Sequence, residues 1–220
     1  MDEHNPLPAT MIPILTTEHF TLQSARGVVM AEIGSRATIY LSAVSASVVA
    51  LAFVTTLSGD ARLLRGFALV LLPVVWYMGQ VTRLRLTQLS QADLHHIRAI
   101  NRIRHFYLDA APEATRYLTL PAHDDLHGIG AATGHDVGWV MNFMPASQMV
   151  AVVHYVITGL IMGLLAAWGL QANATAAILV GVVAGLGFAV FDYARGGRRF
   201  ARYVNGFEVR FPTPPNKPSA

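Results

Sequence analysis

Three stretches of this 220-residue chain contain no Asp, Glu, Lys or Arg: residues 37–57 (ATIYLSAVSASVVALAFVTTL), 66–82 (GFALVLLPVVWYMGQVT) and 137–191. Uncharged runs of this length leave a chain few ways to fold. A membrane-crossing helix needs about 20 mainly apolar residues, within about 17–25, whereas runs of about 10–14 suit a buried core helix. Four segments meet the longer requirement: about 37–57, 66–82, 148–168 and 174–192. The last two are separated by WGLQANAT, which holds the turn-formers Gly169 and Asn173. The expected fold class is therefore an all-α integral membrane protein with four transmembrane helices. Composition agrees, with 13% charged residues against about 25% in soluble domains. The competing reading is a soluble bundle, which would hide its large apolar side chains inside.

The first 20 residues lack the basic start and apolar centre of a signal peptide, so the first span is expected to act as an uncleaved anchor. The chain has no cysteine, which excludes disulfides, thiolate metal sites and cysteine nucleophiles. No cofactor is expected.

The 16 Lys and Arg residues fix an orientation. Four spans put both termini and residues 83–147 on one side. Fourteen of the 16 fall there, and only Arg62 and Arg65 fall on the other. By the positive-inside rule the termini and residues 83–147 are expected in the cytoplasm, on a multi-pass protein of the cell membrane.

No proline or glycine lies between Gly79 and Pro112, so span two is expected to continue as a helical cytoplasmic stalk to about residue 110. The extension is amphipathic. At about 100° per residue, His95, Arg98, Arg102, His105 and Asp109 share a stripe about 80° wide, with Leu86, Leu89, Ile97, Ile100, Ile103 and Tyr107 on the other side. An amphipathic helix over 17–36, leading into span one, is expected to cover that apolar side through Phe20, Val28 and Ile33. The basic stripe of His95, Arg98, Arg102 and His105 is expected to contact anions. Anionic headgroups of membrane lipid come first, where each Arg contributes ~1 kcal/mol, then an acidic partner or a small anion. A stripe this small beside a membrane span points to no nucleic acid.

Residues 119–139 (TLPAHDDLHGIGAATGHDVGW) form a glycine-rich loop with imidazoles and carboxylates. His123, Asp125, His127 and His135 are the metal-ligand candidates, since these groups suit transition metals. The spacing matches no zinc motif, and the simpler reading has Asp124 or Asp125 capping a short helix.

Within the spans, His154 is an ionisable group and hence a functional candidate, placed about two turns from the cytoplasmic end. Asp192 is expected to pair locally, near Arg195. Thr38, Ser42 and Ser45 make a polar strip on span one. Small residues recur every fourth position at Gly159 and Gly163 in span three and at Gly181 and Gly185 in span four, a pattern that lets helix backbones approach closely within a chain or between chains. The tail, 211–220, is proline-rich and expected to be disordered.

The domain organisation expected is one membrane domain with an appended cytoplasmic helix and loop. The leading functional expectation is a non-enzymatic, self-associating four-span protein, a homo-oligomer that forms a pore or channel. The alternatives are a membrane anchor, scaffold or accessory subunit that binds a cytoplasmic partner within a membrane complex, and a membrane enzyme that uses the His/Asp loop.

Overall fold

A computed structural model describes residues 10–134 and 146–214. Among these residues the chain is all-helical: α1 (Met11–Ser58), α2 (Ala61–Ala110), a 3-10 turn (Pro112–Arg116), α3 (Leu126–Thr133), α4 (Ala146–Gly169) and α5 (Ala174–Asn205). Four helices, α1, α2, α4 and α5, are long and apolar enough to cross a membrane.

Local chemistry sets the boundaries. Gly59 turns the chain between α1 and α2 with a positive φ of 60°, a conformation that side chains other than glycine adopt at a cost. Asn173 caps α5 by accepting from the Ala176 N–H at 2.8 Å. With no breaker before Pro112, α2 runs unbroken to Ala110, and it continues through Pro73. Two extensions go beyond the predicted spans. α1 begins at Met11 as a single helix, and α5 continues 13 residues past Asp192, to Asn205.

The chain divides into two compact units. Unit 1 takes Met1–Glu32, Gln88–Asn142 and Glu208–Ala220, and unit 2 takes Ile33–Thr87 and Phe143–Phe207.

Unit 2 contains all four span windows. Its interior combines small residues such as Ala37, Ala68, Ala151 and Ala177 with a few larger ones, Tyr40, Leu86 and His154 among them. Many apolar groups point outward, with Phe53 60%, Leu186 63%, Val70 70% and Val190 70% exposed. A soluble bundle would bury these, and an outward apolar surface on this scale is suited to lipid. Helices α4 and α5 touch backbone to backbone. A Cβ added at Gly159 would stand 2.7 Å from the Gly181 carbonyl oxygen, and one at Gly181 would stand 2.7 Å from the Gly159 oxygen. At Gly163 and Gly185 the corresponding approaches are 3.0 Å. The small-residue ladder therefore joins two helices of one chain.

Unit 1 packs around the apolar side of α2. Leu89, Ile97, Ile100 and Ile103 are buried there, as the amphipathic pattern predicts, together with Ala122 and Ile129. The partner face of α1 differs from expectation. Phe20 is 70% and Val28 66% exposed, while Leu22, Val29 and Ile33 lie on the less exposed side. The helices are joined there by an Arg26–Asp93 ion pair at 2.7 Å and a His19–Tyr107 ring stack.

Candidate functional sites

The most heavily bonded group in unit 1 is Asp124, which is fully buried. Its carboxylate accepts from the Phe211 N–H at 2.8 Å, from the Arg210 N–H at 3.1 Å and from Arg102 Nε at 2.6 Å. The Arg98 guanidinium lies 3.8 Å away. Arg98 also donates to the Asp124 carbonyl at 3.1 Å and the Glu208 carbonyl at 2.8 Å, and Arg102 donates to the Glu208 carbonyl as well. Asp125 does two further jobs. It caps α3 by accepting from the Gly128 N–H at 2.8 Å, and it accepts from the Thr213 N–H and hydroxyl at 2.8 Å each. His105 stacks on the Phe211 ring with centroids 4.0 Å apart. The effect is to strap the C-terminal segment across α2.

This arrangement fixes the state of both carboxyls. Burial alone would raise Asp124, but the Phe211 N–H, the Arg102 side chain, the Arg210 N–H and the Arg102 charge together outweigh it, holding the group below the usual aspartate range. Asp125 is lowered in the same way. Its burial is outweighed by the N–H groups of Gly128 and Thr213, the Thr213 hydroxyl and the charge of His123.

Several expectations change here. The predicted basic stripe is not an open face: Arg98 is buried at 8% exposure, Arg102 is tied to Asp124, and His105 lies against Phe211, leaving only His95 exposed. The physical reason is Asp124, a buried anion that draws in the nearest guanidiniums. Nor is the whole tail free, since residues 211–214 are strapped down and only 215–220 lie outside the described residues. Among the described residues no group of three metal-ligating side chains converges. Of the four metal candidates, Asp125 is engaged as a helix cap, His123 and His127 join no such group, and His135 lies outside the described residues.

In unit 2 a polar cluster draws on four helices. His154 is fully buried, beside Trp76 and Phe188 at ring-centroid distances of 5.4 and 5.9 Å. Neither of its ring nitrogens has a hydrogen-bond partner among the described residues, and the same holds for the buried Tyr40 hydroxyl. Gly79 makes room for both, because a Cβ there would collide with His154 Nδ1 and the Tyr40 hydroxyl. His154 thus sits inside the bundle. The indole of Trp76 donates to Thr158 Oγ1 at 3.0 Å. Asp192 pairs with Arg83 of α2 and accepts from the Tyr155 hydroxyl at 2.7 Å, and the Arg83 guanidinium lies 5.1 Å from the centre of the Tyr155 ring. The expected local pairing of Asp192 near Arg195 is therefore replaced by a tertiary one. The partner is 109 positions away, and no local pattern announces it. No family model, curated protein or solved structure matches the chain.

Thr38, Ser42 and Ser45 all point to the outside of unit 2. The Thr38 and Ser45 hydroxyls donate to their own helix, to the Gly34 carbonyl at 3.0 Å and the Leu41 carbonyl at 2.9 Å. Such back-bonding satisfies a hydroxyl in an apolar setting.

The open basic face of the molecule lies elsewhere. Arg195, Arg198, Arg199 and Arg202, on the continuation of α5, are all exposed. Among the described residues none of the four has a hydrogen-bond or ion-pair partner. Their spacing of i, i+3, i+4 and i+7 is legible in the sequence once that segment is known to be helical. At about 100° per residue they cover an arc of about 100°, on the side of α5 that also carries Ala177 and Gly181. Tyr193 and Phe200, 83% and 47% exposed, lie roughly opposite and continue the outward side of Val182 and Leu186.

Proposed function

We propose that this chain is a membrane anchor or accessory subunit that crosses the cell membrane four times, keeps both termini and residues 83–147 in the cytoplasm, and binds an acidic segment of a partner protein along the arginine face of α5. The observation that carries the reading is that face: four exposed guanidiniums, unpaired among the described residues, on one side of a helix that continues directly from an apolar span. The aromatic side chains opposite them extend the lipid-suited side of the span, where Tyr and related rings favour the membrane interface. The arginines are turned the other way, which favours an acidic protein over headgroups as their partner. The internal use of the glycine ladder removes the main sequence argument for self-association. A second reading keeps the homo-oligomer through the outward Thr38, Ser42 and Ser45 strip, where the backbone-bonded hydroxyls of Thr38 and Ser45 can be covered by a second copy without loss.

The test uses the full chain in nanodiscs of neutral lipid, with a labelled glutamate-rich peptide as the probe. Binding is expected to weaken as salt rises, because exposed charges are screened within about 8–10 Å at physiological ionic strength, and to be lost in the Arg195→Gln/Arg198→Gln/Arg199→Gln/Arg202→Gln variant. Equal binding by both forms overturns the reading. If the variant instead loses only its enrichment of anionic over neutral lipid in mixed nanodiscs, the face is a headgroup contact.

A further inference from the structure

We propose that unit 1 contains a binding site for a small anionic amphiphile, with a carboxylate or phosphate head and an apolar body, in the groove between the N-terminal part of α1 and the C-terminal part of α2. The groove is a cavity of about 470 Å³, within the range of about 300–1,000 Å³ typical of small-molecule sites. It has an apolar part and a cationic part. Ile97 and Ile100, 2% and 4% exposed, form its floor, and Met30 lines its side. Arg26 and Arg104 supply the charge, and Asn101, which accepts from Arg104, also lines the groove.

The charges in the groove are out of balance. Arg26 is paired with Asp93 through Nε. Arg104 is half-buried, its charge opposed by that of Arg26. Among the described residues its only hydrogen-bond partner is the neutral Asn101 Oδ1, at a long 3.3 Å. A half-buried guanidinium facing a like charge, with no carboxylate in reach among the described residues, is an unusual thing for a folded chain to keep, because buried charges are normally paired. Contrast Arg98 and Arg102 on the same helix, both of which are drawn to Asp124. A guanidinium presents a planar fork of donors that matches carboxylate and phosphate oxygens, so an anionic head on Arg104, assisted by Arg26, would complete the site. The adjoining isoleucines and methionine then select a ligand with an apolar body over a free inorganic anion. This is a different surface from the arginine face of α5, and it stands or falls independently of it.

The experiment uses the full chain in neutral nanodiscs, with empty nanodiscs as reference. Octanoate and octyl phosphate are the probes, and octanol and inorganic phosphate are the controls. Binding is read by calorimetry and by hydrogen-exchange protection of residues 23–30 and 97–104. Octanoate and octyl phosphate are expected to bind saturably and to protect both segments, with octanol and phosphate at least about tenfold weaker. Arg104→Gln should weaken the two probes by about 10- to 100-fold, as loss of a charge-assisted hydrogen bond does, while Arg104→Lys keeps part of the affinity. Protection by octanoate but not octyl phosphate narrows the head to a carboxylate and supports the site. Octanol binding as well as octanoate, or Arg104→Gln matching the native chain, overturns it. If Arg104→Gln lowers the melting temperature, the Arg104→Lys result and the octanoate-to-octanol ratio of the native chain decide instead. Binding by inorganic phosphate as tight as by octyl phosphate removes the apolar half of the proposal and with it the amphiphile.

Discussion

Replacing Asp124 with Asn keeps the shape of the side chain and removes its charge. The carboxylate gathers the N–H groups of Arg210 and Phe211 and the Nε of Arg102, and Arg98 lies 3.8 Å away. Removing one partner of a buried ion pair costs about 3–5 kcal/mol, mainly because the other charge is left uncompensated. Here Arg102 keeps a side-chain exposure of 31% and can turn to water, whereas Arg98 at 9% cannot. The lower end of the range, about 3 kcal/mol, is therefore expected, or roughly a hundredfold in an opening equilibrium at about 1.4 kcal/mol per factor of ten. The loss should fall on the strap. In the full chain, hydrogen exchange in residues 208–214 should accelerate by about that factor in Asp124→Asn, and Glu113→Gln on the exposed 3-10 turn should leave it unchanged. An unaltered exchange rate at 208–214 in Asp124→Asn would refute the idea that this carboxylate holds the C-terminal segment.

Two further outcomes follow from the same contacts. Asp124 and Asp125 are both held below the ordinary aspartate value of 3.8, so the unfolded chain takes up protons first as pH falls. Their stabilisation is complete above about that value and is lost as pH drops through the lower folded-state values. Pepsin cleavage within 208–214, normalised to a denatured peptide, should therefore stay slow at pH 5 and accelerate steeply below 3.8. A flat profile down to pH 2 contradicts the pairing. In the bundle, Gly181→Leu forces a side chain into a space where even a Cβ stands 2.7 Å from a backbone oxygen, and should destabilise by about 3 kcal/mol or more, as overpacking against an unyielding neighbour does. Leu179→Ala, at a position 59% exposed, should stay within about 0.5 kcal/mol. Thermal unfolding in nanodiscs separates the two, and equal melting temperatures would deny the close approach.

What the sequence revealed and what it hid divide along the range of the interactions. Span-length apolar runs, the breaker-free stretch between Gly79 and Pro112 and the glycine spacing at 159/163 and 181/185 are local or periodic, and each has its counterpart in the structure. Asp125 as a helix cap was legible for the same reason, being three residues from the N–H it accepts. The Asp124 strap was not, because its partners at 210 and 211 lie 86 and 87 positions away. Without that anion in view, Arg98 and Arg102 look like a free basic stripe. The pairing of Asp192 with Arg83 is hidden in the same way, 109 positions apart, while Arg195 stands nearer in the chain. The α5 arginine face was missed for another reason. Gly196 and Gly197 lower helix propensity by about 1 kcal/mol each, so the segment reads as a helix end, yet α5 continues through both to Asn205.

The most direct test of the account is the side of the membrane on which each connection lies. The chain has no cysteine, so single cysteines can report one position at a time. Ala61→Cys is the first residue of α2, beside its connection to α1, and Ala172→Cys lies in the connection of α4 to α5, while Glu113→Cys and Arg198→Cys lie at exposed positions on the segments assigned to the cytoplasm. A membrane-impermeant thiol reagent applied to intact cells should label Ala61→Cys and Ala172→Cys, and should reach Glu113→Cys and Arg198→Cys only after the membrane is opened. Labelling of Glu113→Cys or Arg198→Cys in intact cells, or none at both Ala61→Cys and Ala172→Cys, would contradict the four-span arrangement and the cytoplasmic partner site that depends on it.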